Sequence, residues 1–277
     1  MSKRDLEAFF IAPFASVSGF VGDDAAVVEK RVYSKDAFVE GTHFLRRWMT
    51  PAQIACKAMA VNISDAVAMN ARPKYVLLAV GLPRDYTREE AGELARGFVE
   101  AARRFGCEII GGDTVRSDRL CISVTVVSET ARPLRRTGIR SGDLIAYTGS
   151  VGKAGKELRY LLSGRTPHAK MHFMCPVLRG AFVADAAPYL SAGMDISDGI
   201  FTDLQRLAEA NRIGFGMLSP LPRALGCSGE EYEMLVAFSP RQRRHIERLA
   251  RRRRVRLTVF ARAARTRYRN PCKSHHF

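Results

Sequence analysis

The residues that could do chemistry in this sequence are acids planted in apolar or glycine-rich surroundings. They are Asp23 and Asp24 in GDDAAVV, Asp36 and Glu40 beside His43 in SKDAFVEGTHF, Asp65 in VNISDAVAM, Asp113 in IIGGDT, and Asp195 and Asp198 in MDISDG. A buried carboxylate is costly unless it is paired, hydrogen-bonded or bound to a cation. Hard oxygen donors without clustered His or Cys point to Mg²⁺ rather than Zn²⁺, and Mg²⁺ takes only one or two carboxylates per ion along with waters and substrate phosphates. Acids in this number therefore imply several ions. Each also has a plainer reading when taken alone. Asp23, Asp24 and Asp113 stand where an aspartate caps a helix or closes an Asx-turn, and His43 is equally a core residue. Asp65 and Asp195, flanked by apolar residues inside regular elements, fit the turn reading less well. Spacing alone leaves open whether these acids converge.

Phosphate binding needs backbone donors or fixed cations. The stretch GSVGKAGKE fails the Walker spacing, with Ser150 in place of the first Gly and Glu157 in place of Ser/Thr. No GxGxxG occurs, which excludes a Rossmann or protein-kinase glycine loop. Gly111, Gly112 and the stretch from Arg135 to Gly138 could approach phosphates closely, and each is also readable as a plain turn.

The elements that must position these residues alternate between strand-like and helix-like patterns, which predicts an α/β or α+β fold. Helical spacing runs over residues 53–71, interrupted by Asn62, Ser64 and Asp65. A buried strand is predicted at 75–82, and Thr87 with Glu90 makes a capping-box start to a helix that ends at Gly106. Strands follow at 107–110 and 120–128. The turn-rich RRTGIRSGDLIAYTG places a domain boundary near Gly138, dividing 1–137 from 138–277. The second half reads as a strand at 144–147, helices after Gly155 and after SDG, strands around Ile213 and Met234, a helix at 240–253 and a strand at 255–260.

Of the 277 residues 47% are hydrophobic and 26% charged, with no run of about 18 uncharged apolar residues, so no membrane segment is expected. The N-terminus lacks a signal-peptide pattern, and the expectation is a cytoplasmic protein. The six cysteines show no CxxC pair and read as reduced, mostly structural thiols. The net charge of +16 is concentrated beyond residue 240, where thirteen Arg and one Lys face a single acid, Glu247. That segment has little aromatic interleaving. It reads as a solvated basic face that attracts anionic substrates, and no nucleic-acid partner is expected.

In order along the chain, GDDAAV, VEGTHF, KAMAVNISDAVAMNARP, IIGGDT, RRTGIRSGD, MDISDG and GEEYE span residues 22–233, and the chain ends SHHF. This ordered set resembles the thiamine-monophosphate kinase family. That family belongs to a superfamily with aminoimidazole ribotide synthetase, selenophosphate synthetase and a hydrogenase-maturation protein. The resemblance implies an N-terminal mixed α/β domain whose sheet pairs in a homodimer, and a C-terminal α/β domain closing the active site. It implies ATP and thiamine monophosphate as substrates and several Mg²⁺ ions. Motif by motif, the metal positions would be Asp24, Ser34, Lys35, Asp36, Asp65, Asp113, Asp195 and Asp198. Gly112, Asp113, Arg136 and Ser197 would meet ATP, and His43 and Glu230 the thiamine monophosphate, with Arg136 and Asp198 nearest the chemistry. The sequence departs from the family at Lys35, where Thr is usual; either its carbonyl coordinates, or its ammonium replaces one ion. GEEYE stands for the commoner GEDYE. No aromatic stands near Pro271 to stack on the thiamine rings, a role left to Tyr268 or Phe277. The alternatives are a ligase resembling aminoimidazole ribotide synthetase and a non-catalytic nucleotide- or nucleic-acid-binding scaffold.

Overall fold

The computed structural model describes residues 6–168 and 171–272, so the terminal SHHF and Phe277 lie outside the described residues. Two five-stranded sheets fall on either side of residue 138. The first comprises β1 (Ala26–Val28), β2 (Arg31–Val39), β3 (Arg72–Pro83), β4 (Glu108–Ser117) and β5 (Cys121–Glu129) in the order β1-β2-β5-β3-β4. All neighbours are antiparallel except the parallel pair β3–β4. Helices α2 (Pro51–Ala68) and α3 (Arg88–Phe105) cover one face. Both begin with complete capping boxes, Thr50 with Gln53 and Thr87 with Glu90, and α3 stops at Gly106, whose φ is 69°.

The other face of this sheet is open. On β5 alone Ile122, Val124, Val126 and Ser128 are buried and their alternating neighbours are not, the period of two expected of a half-covered strand. Tyr75, Leu77, Ile110 and Val115 are exposed on β3 and β4.

The second sheet is antiparallel throughout: β6 (Leu144–Thr148), β7 (Ala192–Asp195), β8 (Gly214–Met217), β9 (Met234–Phe238) and β10 (Leu257–Ala264), ordered β7-β9-β6-β10-β8. Its strands β6, β7 and β9 are buried on both faces, which explains the unbroken apolar runs LIAYT and MLVAF. Leu144, Ala146, Met234, Val236 and Phe238 join the core that continues from the first sheet, together with α4 (Lys153–Leu162), α5 (Gly180–Ala186) and α8 (Arg243–Arg252). Ile145, Tyr147, Leu235 and Ala237 face α6 (Ile200–Asn211) instead. One core thus runs through both halves.

Two short helices complete the chain, α1 (Leu6–Val17) and α7 (Arg223–Gly226). Cys227 and Cys272 form a disulfide with Cα atoms 5.7 Å apart, which corrects the expectation that all six cysteines are reduced. The pairing was invisible in the sequence because the two lie 45 residues apart. No helix among the described residues is long and apolar enough to cross a membrane.

Candidate active site

Five of the acids converge. A cavity of about 1000 Å³ between the halves is lined by Asp24, Asp36, Asp65, Asp195 and Asp198, with Arg136, Arg206, Ser197, His43, Glu230 and Tyr232 around them. Each acid arrives by a different route: Asp24 from the loop before β1, Asp36 from β2, Asp65 from α2, Asp195 from the end of β7, and Asp198 from the turn into α6.

The asparagine and serine that interrupt α2 fasten these routes together. Asn62 Oδ1 accepts the Asp36 amide at 2.6 Å while its carbonyl accepts the Ser34 hydroxyl at 3.1 Å. Ser64 donates to Asp195 Oδ2 at 2.6 Å. The polar residues that spoiled the helical pattern are thus the ones aimed at the site. On the far side of the cavity the 196–198 segment runs beside GEEYE: Glu230 donates its amide to the Ser197 carbonyl at 2.7 Å, and Tyr232 its amide to Ile196 at 2.9 Å. Glu230 and Tyr232 both hold positive φ, 62° and 50°, strained for non-glycine residues and found here at the cavity wall. Gly199 is required at the start of α6: its φ is 99°, and a Cβ there would come within 3.0 Å of the Gly226 carbonyl.

Crowding shapes the electrostatics. Burial first, then the partly cancelling pull of Arg136 and push of Asp195, lifts Asp24 from 3.8 to about 7. Burial, then Asp195, Glu230 and Asp198, lifts Asp36 to about 6, although it hydrogen-bonds Asp65. Asp65 is pushed well above the usual carboxylate range by burial and by Asp195, Asp36 and Asp24. Asp195 is raised by burial, which the Ser64 hydrogen bond and the charges of Arg136 and Arg206 oppose. Such a set is held against its own repulsion and calls for cations.

Two arginines answer part of that need. Arg136 places Nε 3.0 Å and Nη2 2.5 Å from Asp24 Oδ1. Asp23 is structural, accepting the Arg136 amide and the Arg135 guanidinium, each at 2.8 Å. Arg206 pairs with Asp198 and reaches the buried Asp203 at 2.7 Å.

The residues suit Mg²⁺. The donors are all carboxylate oxygens, and Asp24 Oδ2 is buried with no hydrogen-bond partner. Among the described residues no three His, Cys, Asp or Glu side chains close on a single point as a ready-made metal cage.

Several expected residues stand elsewhere. Asp113 and Gly112 lie exposed on β4, in a different groove beside α3, and Asp113 accepts the Thr114 amide at 2.8 Å. The double glycine has a packing reason, since a Cβ on Gly112 would fall 1.7 Å from the Leu78 carbonyl oxygen. Lys35 does not offer its ammonium to the cavity. It alternates with Asp36 on β2, so its side chain leaves by the open face of the sheet and donates to Thr125 at 3.1 Å. The Ser34 hydroxyl is committed to Asn62. Tyr268 is not a cavity residue: it donates to the Phe201 carbonyl at 3.1 Å and packs on Phe215. The aromatics at the cavity mouth are instead Phe9 and Phe10 of α1, 66% and 69% exposed. His43 lines the cavity with its ring stacked on Phe38, and its Nδ1 accepts the Val39 amide at 3.0 Å.

Lys57 is a further residue of the site, absent from the expected set. Fully buried on α2, it sets Nζ 2.7 Å from Glu230 Oε2 and 3.2 Å from the centroid of the Phe173 ring. Burial lowers its pKa and Glu230 opposes the shift. A lysine in the middle of IACKAMAV was the available signal. In GEEYE, Glu231 is structural: one carboxylate oxygen accepts the Gly152 amide at 2.8 Å and the Ala154 amide at 3.2 Å, capping α4 from outside.

This fold and its carboxylate-lined cavity define a class of two-sheet α/β proteins, and residues 22–130 match the family described as AIR synthase related protein, N-terminal domain. The solved structure of AaThiL complexed with AMPPCP and TMP superposes with a TM-score of 0.83 at 26% identity, covering 95% of this chain and 91% of that one. For tt0281 from Thermus thermophilus the TM-score is 0.84 at 25% identity, with 95% of each chain covered. The thiamine-monophosphate kinase of Aquifex aeolicus is 32% identical over 228 residues, 78% of this chain and 74% of that protein. That of Rhodopirellula baltica is 30% identical over 261 residues, covering 82% and 78%. The chain belongs to the thiamine-monophosphate kinase family.

Proposed function

We propose that this protein transfers the γ-phosphoryl group of ATP to the phosphate of thiamine monophosphate, giving thiamine diphosphate and ADP. The observation that carries the reading is the convergence of Asp24, Asp36, Asp65, Asp195 and Asp198, from five separate segments, on one cavity that also holds two arginines. The acceptor oxygen is already ionised at neutral pH, so no strong base is needed, and the obstacle is bringing two polyanions into line. These aspartates would hold Mg²⁺, which would supply charge neutralisation between the two polyanions.

The chain's own residues do the positioning. The Arg136 guanidinium, set against Asp24 in the free protein, is placed to turn to a phosphate once that carboxylate has a cation. Ser197 and Asp198 face the cavity at the start of α6, where a helix N-terminus favours phosphate oxygens. His43 and Glu230 border the same space, and Glu230 suits the cationic thiazolium ring. Phe9 and Phe10 offer the apolar faces that the rings need and that Tyr268 does not provide.

A homodimer across the open face of the first sheet belongs to this proposal. It would cover Tyr75, Leu77, Ile110 and Val115 and set the exposed Asp113 against a second copy. A cytoplasmic location is likewise part of it. The test is product analysis: incubation with ATP, Mg²⁺ and thiamine monophosphate should yield ADP and thiamine diphosphate in equal amounts. ATP consumption with formylglycinamidine ribotide and none with thiamine monophosphate would move the chain to the ligase class.

A further inference from the structure

Outside the carboxylate cavity, two free cysteines from different halves of the chain meet at one guanidinium. Cys56 is on α2, Cys175 lies between α4 and α5, and Arg104 is in the last turn of α3. Arg104 Nη1 lies 2.9 Å from Cys175 Sγ and 3.5 Å from Cys56 Sγ, so one guanidinium bridges the two thiols. Both cysteines are only partly buried.

The arrangement makes the pair unequal. Hydrogen bonding with Cys56, helped by Arg104 and opposed by burial, brings Cys175 down from 9.0 to about 5, which favours its thiolate. The same hydrogen bond and burial push Cys56 up. Arg104 also lines a groove of about 630 Å³ with Arg72 and Arg132, one acid, Glu129, and the apolar Val177 and Leu178. Its positive rim suits a small molecule bearing carboxylates.

We propose that Cys56 and Cys175 are a thiol–disulfide exchange site for small anionic disulfides, closing into an intramolecular disulfide that ties α2 to the segment before α5. The Cys175 thiolate attacks one sulfur of the small disulfide, whose S–S bond breaks and releases one small thiolate. Cys56 then loses its proton to solvent and attacks Cys175 Sγ in the mixed disulfide, expelling the second small thiolate. The two cysteines give up two electrons and the small disulfide takes them. The segment so tied carries Phe173, which lies on the Lys57 ammonium, and Arg179, which pairs with Glu233.

The test uses the full chain and oxidised glutathione at neutral pH, with peptide mapping by mass spectrometry without reduction. A Cys56–Cys175 peptide is expected beside the Cys227–Cys272 one, absent from untreated protein. Cys56→Ser should stop at glutathione on Cys175, and Cys175→Ser should leave Cys56 unmodified. Arg104→Gln should slow alkylation of Cys175 by iodoacetamide by about tenfold. Cys107, whose thiol is raised by burial, is the internal control and should react last. Cys175 reacting no faster than Cys107, or a Cys175 adduct that persists in the wild-type chain without resolving onto Cys56, would overturn the proposal.

Discussion

The Ser64 hydroxyl donates to the Asp195 carboxylate at 2.6 Å, joining positions 131 apart in sequence and the two halves of the chain at the floor of the cavity. Removing this buried donor leaves a carboxylate less satisfied, which typically costs about 1–3 kcal/mol. Ser64→Ala should lower stability by that amount in chemical denaturation of the metal-free protein. It should also push Asp195 further up and raise the Mg²⁺ concentration needed for half-maximal turnover. Unchanged values of both would mean that the contact does no more than fill space.

The pH dependence of the metal-free protein follows from Asp24 and Asp36, lifted from 3.8 to about 7 and about 6. The folded state then holds protons that the unfolded chain releases. Their stabilising contribution is complete below the unfolded value and is lost as pH rises through about 6 and about 7. Cys175, brought down to about 5, contributes in the opposite sense over the same window, so calorimetry without divalent cations is made on Cys175→Ser, which should show a higher Tm near about pH 5 than near about pH 8. Asp185, held low by Arg253 and Arg252, titrates below this window and does not reverse the sign. Mg²⁺ binds the ionised carboxylates, so its addition should raise Tm much more at the higher pH. A metal-free Tm that climbs steadily from acid to alkaline pH would contradict the crowding.

The buried pair Lys57–Glu230 couples α2 to the strained GEEYE turn. Breaking such a pair from one side leaves an unpaired charge and typically costs about 3–5 kcal/mol. Lys57→Met should show that loss, and Lys57→Met combined with Glu230→Gln should recover part of it. Steady-state kinetics of the double variant should show a raised KM for thiamine monophosphate and an unchanged KM for ATP. Equal effects on both substrates would remove Glu230 from the thiamine side of the site.

Phe9 and Phe10 stand at the cavity mouth, more exposed than rings of that size usually are without a partner. Losing one ring face from a substrate contact is worth about 1–2 kcal/mol. Phe9→Ala and Phe10→Ala should raise the KM for thiamine monophosphate by about tenfold and leave kcat within about twofold. A fall in kcat at unchanged KM would assign α1 to another role.

Much of the site was legible because a carboxylate inside an apolar run is expensive and each such run keeps its own local signature. Asp65 and Asp195 could be singled out in this way. What the sequence did not disclose was direction. Lys35 neighbours Asp36 in sequence, yet the pleat sends it to the opposite face of the sheet. Asp113 carries the same kind of motif as Asp24 but sits on an edge strand away from the cluster. Lys57 looked like one lysine among many until α2 buried it, and the Cys227–Cys272 bridge depended on the C-terminal segment returning to the start of GEEYE. The apolar rhythm located α2, β3, α3, β5, β6 and β9, but it did not mark β1 and β2, the second of which carries Asp36.

The most direct test of the central claim is the Mg²⁺ dependence of thiamine monophosphate-stimulated ATP turnover in the wild type and in Asp65→Asn. Wild-type turnover should require both Mg²⁺ and thiamine monophosphate. Asp65→Asn should unfold cooperatively, turn over at least about tenfold more slowly, a barrier change of about 1.4 kcal/mol, and need more Mg²⁺ to reach half its maximum. Turnover by Asp65→Asn at the wild-type rate with a superimposable Mg²⁺ curve would contradict the claim that these converging carboxylates hold the ions of the reaction.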